Sequence, residues 1–191
     1  MAHLIERLTS QSFNNLRNTE LPSIAESGVH LVSGIYFSWD TEEGIVRMPL
    51  LQAPESLLKF EYEVETKPRW LTLNIELGNA RLEAGAILGI VANLSGGAGS
   101  ELNMFVRTTR DDEFVDTQFD EGLLGSDVPS VRVAMHQLAQ DSGSVGATGF
   151  HTLIIELPFK KFDLDLREVQ IFVLPAAHGL HLSDETLGRF S

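Results

Sequence analysis

The stretch Trp70-Leu71-Thr72-Leu73-Asn74-Ile75-Glu76-Leu77 alternates apolar residues with polar or aromatic ones without a break. Successive side chains on a strand project to opposite faces, so this period of two predicts a half-buried strand. Leu71, Leu73, Ile75 and Leu77 then line a core, while Trp70, Thr72, Asn74 and Glu76 face away from it. An outward row that mixes an indole, an amide and a carboxylate suits a sugar, which presents apolar ring faces edged with hydroxyls. An ordinary solvated sheet face carries the same mixture, and no catalytic, nucleotide or metal signature elsewhere separates the two readings.

Outward from that segment, strand-like runs recur at 29–37, 45–48, 57–65, 69–77, 85–93, 101–107, 113–119, 130–138, 150–157 and 166–174. Turn-forming stretches separate them, among them Gly96-Gly97-Ala98-Gly99-Ser100, read as a hairpin joining two strands, Asp111-Asp112, and Gly122 to Pro129. Many short strands with few helical intervals predict an all-β protein: an antiparallel, jelly-roll-like β-sandwich. For 130–138 a helix is the alternative, since Pro129 and Ser130 suit a helix start. In 57–65 the inner row is Leu58, Phe60, Tyr62 and Val64, with Lys59, Glu61, Glu63 and Glu65 left in water. The run 166–174 is apolar on both sides at its end, which predicts a central strand.

Residues 1–27 read differently. Leu4, Ile5, Leu8, Phe13 and Leu16 recur at roughly helical spacing, and Asn14, Asn15, Asn18 and Pro22 discourage continuation. A short amphipathic helix is predicted, its stripe lying on the main sheet or on a second subunit. The chain thus divides into an appendage over 1–27, a sandwich over 28–175 and a C-terminal tail over 176–191.

Twenty-seven acidic against 14 basic residues leave a formal charge of −13, which repels phosphate backbones and anionic lipid surfaces. Nucleic acid and membranes are not expected partners. There are no cysteines, so disulfides and thiolate chemistry are excluded. The first residues lack the apolar core of a secretory signal, and no run approaches the ~20 apolar residues of a membrane span, so a cytoplasmic location is the expectation.

The candidate binding surface combines three outward rows: Trp70, Thr72, Asn74 and Glu76; Asn103, Phe105 and Arg107; and Phe114, Asp116 and Gln118. The contact set expected from them is Trp70, Asn74, Glu76, Arg107 and Asp116. Trp39, where a strand meets an acidic turn, is read as capping the core. Asp111, Asp112, Glu113 and Asp116 cluster carboxylates but lack the spacing and glycine turn of an EF-hand, so whether calcium binds is left open. The six histidines are scattered, with His178 and His181 the nearest pair, and no metal set is assigned. A glycoside hydrolase needs two carboxyl groups roughly 5–10 Å apart, for which Glu76 with Asp116 or Glu156 are the candidates. No catalytic residue and no cofactor is assigned.

From about Val29 to Leu174 the chain resembles the carbohydrate-binding-module and galactose-binding-like β-sandwiches. The segments Trp70 to Leu77 and Glu113-Phe114-Val115-Asp116-Thr117-Gln118-Phe119 carry the resemblance. It implies a non-catalytic module whose ligand is a saccharide or a glycan-bearing partner. Two alternatives stand beside it: an interaction protein forming a homo-oligomer through a sheet face or the N-terminal helix, and a cupin-like or glycoside-hydrolase-like enzyme.

Overall fold

The computed structural model describes residues 3–176. One helix, α1 (Leu4–Asn18), precedes twelve strands: β1 (His30–Val32), β2 (Ile35–Trp39), β3 (Ile45–Arg47), β4 (Leu50–Leu51), β5 (Leu58–Thr66), β6 (Leu71–Ala80), β7 (Ile87–Leu102), β8 (Met104–Arg110), β9 (Glu113–Gln118), β10 (Leu123–Gln137), β11 (Gly149–Glu156) and β12 (Phe162–Leu174). They form two antiparallel sheets. The first has the order β1-β2-β6-β11-β8-β9; the second runs β10-β7-β12-β5-β3, with β4 on β5. The all-β sandwich expected from the alternating pattern is the fold observed, and β12 is central between β7 and β5.

The inner rows meet as one core. Phe37 and Leu73 of the first sheet and Phe60, Tyr62 and Ile90 of the second are fully buried. Phe37 meets Phe60 edge-on at 4.9 Å, joining the two sheets, and Phe60 stacks in turn on Tyr62. Trp39 is buried among them, as its position at a strand end suggested.

The helix forms as predicted and starts on a cap in which the His3 ring accepts from the Ile5 N–H and the Glu6 carboxylate accepts from the His3 N–H. It buries Ile5, Thr9, Phe13 and Leu16, whereas Leu4 stands exposed. β5 covers β12 only as far as Leu166, and α1 packs where that cover ends, against β12 and β6. There the Glu6 carboxylate accepts from the Val173 N–H at 2.9 Å and Arg17 donates to the Arg167 carbonyl at 3.3 Å. Side chains of the helix thus take up backbone groups that a further strand would otherwise have paired.

Three expectations change. The run 29–37 is a hairpin, with Val32 opposite Ile35 and Gly34 at φ 84° in the turn. The 130–138 segment is strand through Gln137, as first expected, and its helix alternative falls because the segment pairs residue by residue with β7. Gly96 to Ser100 is no hairpin: β7 runs through it to Leu102, and much of the expected turn at Gly122–Pro129 belongs to β10. The two glycine stretches pair with each other, and a Cβ on Gly125 would collide with the Gly97 carbonyl, so this approach requires glycine. The 176–191 tail falls, beyond Ala176, outside the described residues.

Candidate functional site

Register places the expected surface on the outer face of the first sheet. Across the strands, Tyr36 lies opposite Asn74, Asn74 opposite Ile154, Ile154 opposite Phe105 and Phe105 opposite Gln118. The row on one side of this line is Glu76, Thr152, Arg107 and Asp116; the row on the other holds Ser38, Thr72 and Glu156. Trp70, Asn74, Glu76, Arg107 and Asp116 therefore share one face, divided into two groups and a middle.

The first group is Glu76, Arg107 and Asp116. Arg107 and Asp116 form a two-pronged ion pair, both bonds at 2.8 Å, which raises the guanidinium pKa further. The guanidinium also lies 4.2 Å from the Phe114 ring centre and 5.7 Å from that of Phe105. Glu76 is 3.2 Å from His30, whose ring packs on Tyr36. Burial, chiefly, and the Glu76 charge hold the Tyr36 hydroxyl above its ordinary pKa.

Asn74 corrects the simple alternation argument. It occupies the outer face but is only 4% exposed, and its amide donates to the Tyr36 carbonyl and the Thr72 hydroxyl. Thr72, Thr152, Ile154 and Phe105 are buried on the same face. Neighbouring tall side chains shade the middle of the sheet, so an outward position there is a recessed floor rather than a solvated surface.

At the opposite end Trp70 is 43% exposed, with its indole N–H donating to the Ser38 hydroxyl at 3.2 Å. Arg69 lies over the ring, 5.2 Å from its centre, and is itself held by Asp40, a buried carboxylate at 2.7 Å. The Arg69 hydrogen bond, aided by backbone N–H donors, brings the Asp40 pKa down to about 2.

Trp70 opens onto a cleft of about 420 Å3 that the contact set did not anticipate as a whole. Thr72 and Glu156, which are cross-strand partners, together with Asn103, supply hydroxyl, carboxylate and amide to it. Phe159, 41% exposed, and Lys160 line it beside Trp70. Tyr62 reaches out of the core to donate to the Pro158 carbonyl at 2.7 Å, anchoring the chain next to Phe159, and Lys67 lies over the Phe159 ring. Phe159 was open to recognition: it follows Pro158 at the end of β11, as Trp70 precedes the start of β6. Antiparallel neighbours bring such ends together.

The carboxylate pairs do not meet hydrolase spacing. Glu76 and Asp116 are three strands apart, about 14 Å at the usual strand separation, and Asp116 is occupied by Arg107. Glu76 and Glu156 stand four residues apart along neighbouring strands, also roughly 14 Å. Asp111 and Asp112 form the β8–β9 turn, both at positive φ. Among the described residues no three His, Asp or Glu side chains converge on a point that could hold a metal ion, and His178 and His181 lie outside those residues. No described helix is long and apolar enough to cross a membrane.

No protein-family model and no curated protein matches this sequence. Solved structures do match its fold. A cyclase from Fischerella sp. TAU in complex with 4-(1H-indol-3-yl)butan-2-one is similar at a TM-score of 0.51 and 11% identity, over 85% of this chain and 95% of that one. The N-terminal cellulose-binding domain from Cellulomonas fimi beta-1,4-glucanase C is similar at 0.46 and 8% identity, over 85% and 99% of the two chains. For the CBM22-1 xylan-binding domain from Paenibacillus barcinonensis Xyn10C the values are 0.44 and 16%, over 83% and 99%. These are likenesses of architecture. A cyclase and carbohydrate-binding modules both stand among the similar structures.

Proposed function

We propose that the outer face of the first sheet binds a saccharide, and that the Trp70–Phe159 cleft is where the ring is held. The observation that carries this reading is the cleft's composition. Two exposed aromatic rings border a space lined by Thr72, Asn103 and Glu156, at a volume within the range of small-ligand sites. Aromatic rings take the apolar faces of a pyranose, and hydroxyl, amide and carboxylate take its edges. Neither ring belongs to the core, so exposing them to water has to be offset by something other than folding.

Glu76, Arg107 and Asp116 lie at the far end of the same face, six residues along the strand from Trp70, about 20 Å away. Of the expected contact set, Trp70 therefore makes the primary contact, and Glu76, Arg107 and Asp116 are reached only by an extended oligosaccharide. Asn74 supports the floor. Calorimetric titration against a broad panel of soluble oligosaccharides tests the reading. At least one member should bind, and Trp70→Ala or Phe159→Ala should weaken that binding about tenfold or more, equivalent to about 1.4 kcal/mol. The absence of binding across the panel, or binding indifferent to both substitutions, would remove it.

A further inference from the structure

Almost every edge of the two sheets is blunted. β1 and β3 are three residues each and β4 is two. β9 carries Glu113 and Asp116 and follows a turn of two aspartates. The stretch of β12 beyond β5 is covered by α1 through Glu6 and Arg17. Shortness, charge and cover are the devices by which a sheet edge avoids pairing with another chain.

The Ser130–Gln137 half of β10 has almost none of them. The whole strand spans Leu123–Gln137 and, among the described residues, pairs only with β7. Between Val128 and Gln137 its one Asp, Glu, Lys or Arg residue is Arg132, whose guanidinium turns back onto the Leu124 carbonyl at 3.1 Å. Its outer row, Val131, Val133 and Met135, is 62%, 49% and 53% exposed. Register sets these three opposite Asn93, Val91 and Gly89, and the Phe172 ring lies over Gly89, so the apolar surface continues inward from the edge.

We propose that this edge joins two copies of the chain, paired antiparallel along Ser130–His136 about a two-fold axis at Val133. The two second sheets then continue into one, and the Val131, Val133 and Met135 rows meet on the same side. Charge argues for a second copy. A molecule of formal charge −13 opposes its own approach over most of its surface. Between Val128 and Gln137 the strand itself carries no acidic residue to add to that opposition. An antiparallel edge is also self-complementary under a two-fold, because each backbone group meets its symmetry mate's counterpart. Pro129, without an N–H, marks where the pairing stops.

Sedimentation equilibrium of the full chain across a wide concentration series is the test. The expected mass at high concentration is that of two chains. Val133→Lys sets like charges against each other across the axis and should weaken the dimer at least about tenfold, while Val133→Thr keeps it. Met135→Lys serves if Val133→Lys does not fold, and circular dichroism and the monomer's melting midpoint should be unchanged in the variants used. Amide exchange over Ser130–His136 should slow as concentration rises. A single-chain mass throughout would overturn the proposal, as would a folded lysine variant that dimerises like the parent. Dimerisation only after removal of residues 177–191 would also overturn it, since that segment rather than a second copy would then own the face. Oligosaccharide binding at Trp70 does not enter these readings, so the two proposals fail separately.

Discussion

The outer faces of the two sheets are built on the same core and come out opposite in character. On the first, the central strands present Thr72, Asn74, Thr152 and Ile154 as a buried floor, and aromatic and charged groups stand at its ends. On the second, the edge strand offers a row of aliphatic side chains and almost no charge. Recessed polar floors with exposed rings at the rim suit a small polar ligand; a flat apolar row at an open edge suits another strand. Neither trait is visible in overall composition, and both follow from which residues neighbouring strands set side by side.

Because the faces share one core, the largest effect comes from damaging it. Phe60 is fully buried between Phe37 and Tyr62, so Phe60→Ala should cost about 3–5 kcal/mol, read as a fall in the denaturant midpoint. Loss of oligosaccharide binding should accompany unfolding and not precede it. A variant that kept its stability would show that the sheets are not joined at this contact.

Acid should separate the faces. Asp40 has its pKa lowered to about 2 by Arg69, below the ~3.9 of an unfolded aspartate. A depressed folded pKa gives a stabilising contribution that is complete above about pH 4 and disappears as pH falls through about 2. Across that window the parent should lose stability more steeply than Asp40→Asn, and the Trp70 emission should change with it, since Arg69 lies over the indole. Equal pH slopes for the two proteins would break the link between Asp40 and the first face.

The smallest effect concerns the hydroxyl that ties the core to the cleft. Tyr62→Phe removes only the hydrogen bond to Pro158 and should cost about 1 kcal/mol of stability. It should also weaken oligosaccharide binding measurably, because Phe159 loses its anchor, although Tyr62 does not line the cleft. Unchanged affinity in this variant would mean that Phe159 is positioned by Lys67 and its own packing alone.

Much of the sandwich was legible because alternation is a local property. Leu71, Leu73, Ile75 and Leu77 are buried where the period of two put them, and Trp70 is exposed. Asn74 escaped because exposure on a face depends on the height of cross-strand neighbours, which a single strand does not encode. The glycine stretches at 96–100 and 122–125 read as turns because each looks flexible alone; their mutual pairing joins residues more than twenty positions apart. Phe159 belongs to the cleft only because β6 and β11 are neighbours, and strand order is a long-range property of the fold. The N-terminal stripe was legible as a helix, but not that an unpaired reach of β12 was what it would cover.

Trp70 offers the most direct test of the central claim. Trp39, the chain's other indole, is buried, so quenching of tryptophan emission by a soluble quencher reports mainly on position 70. Titrating an oligosaccharide that binds should protect that emission from the quencher, and the protection should be absent in Trp70→Phe. Saturating binding that leaves the Trp70 indole as accessible as before would contradict the assignment of the first sheet's outer face as the saccharide site.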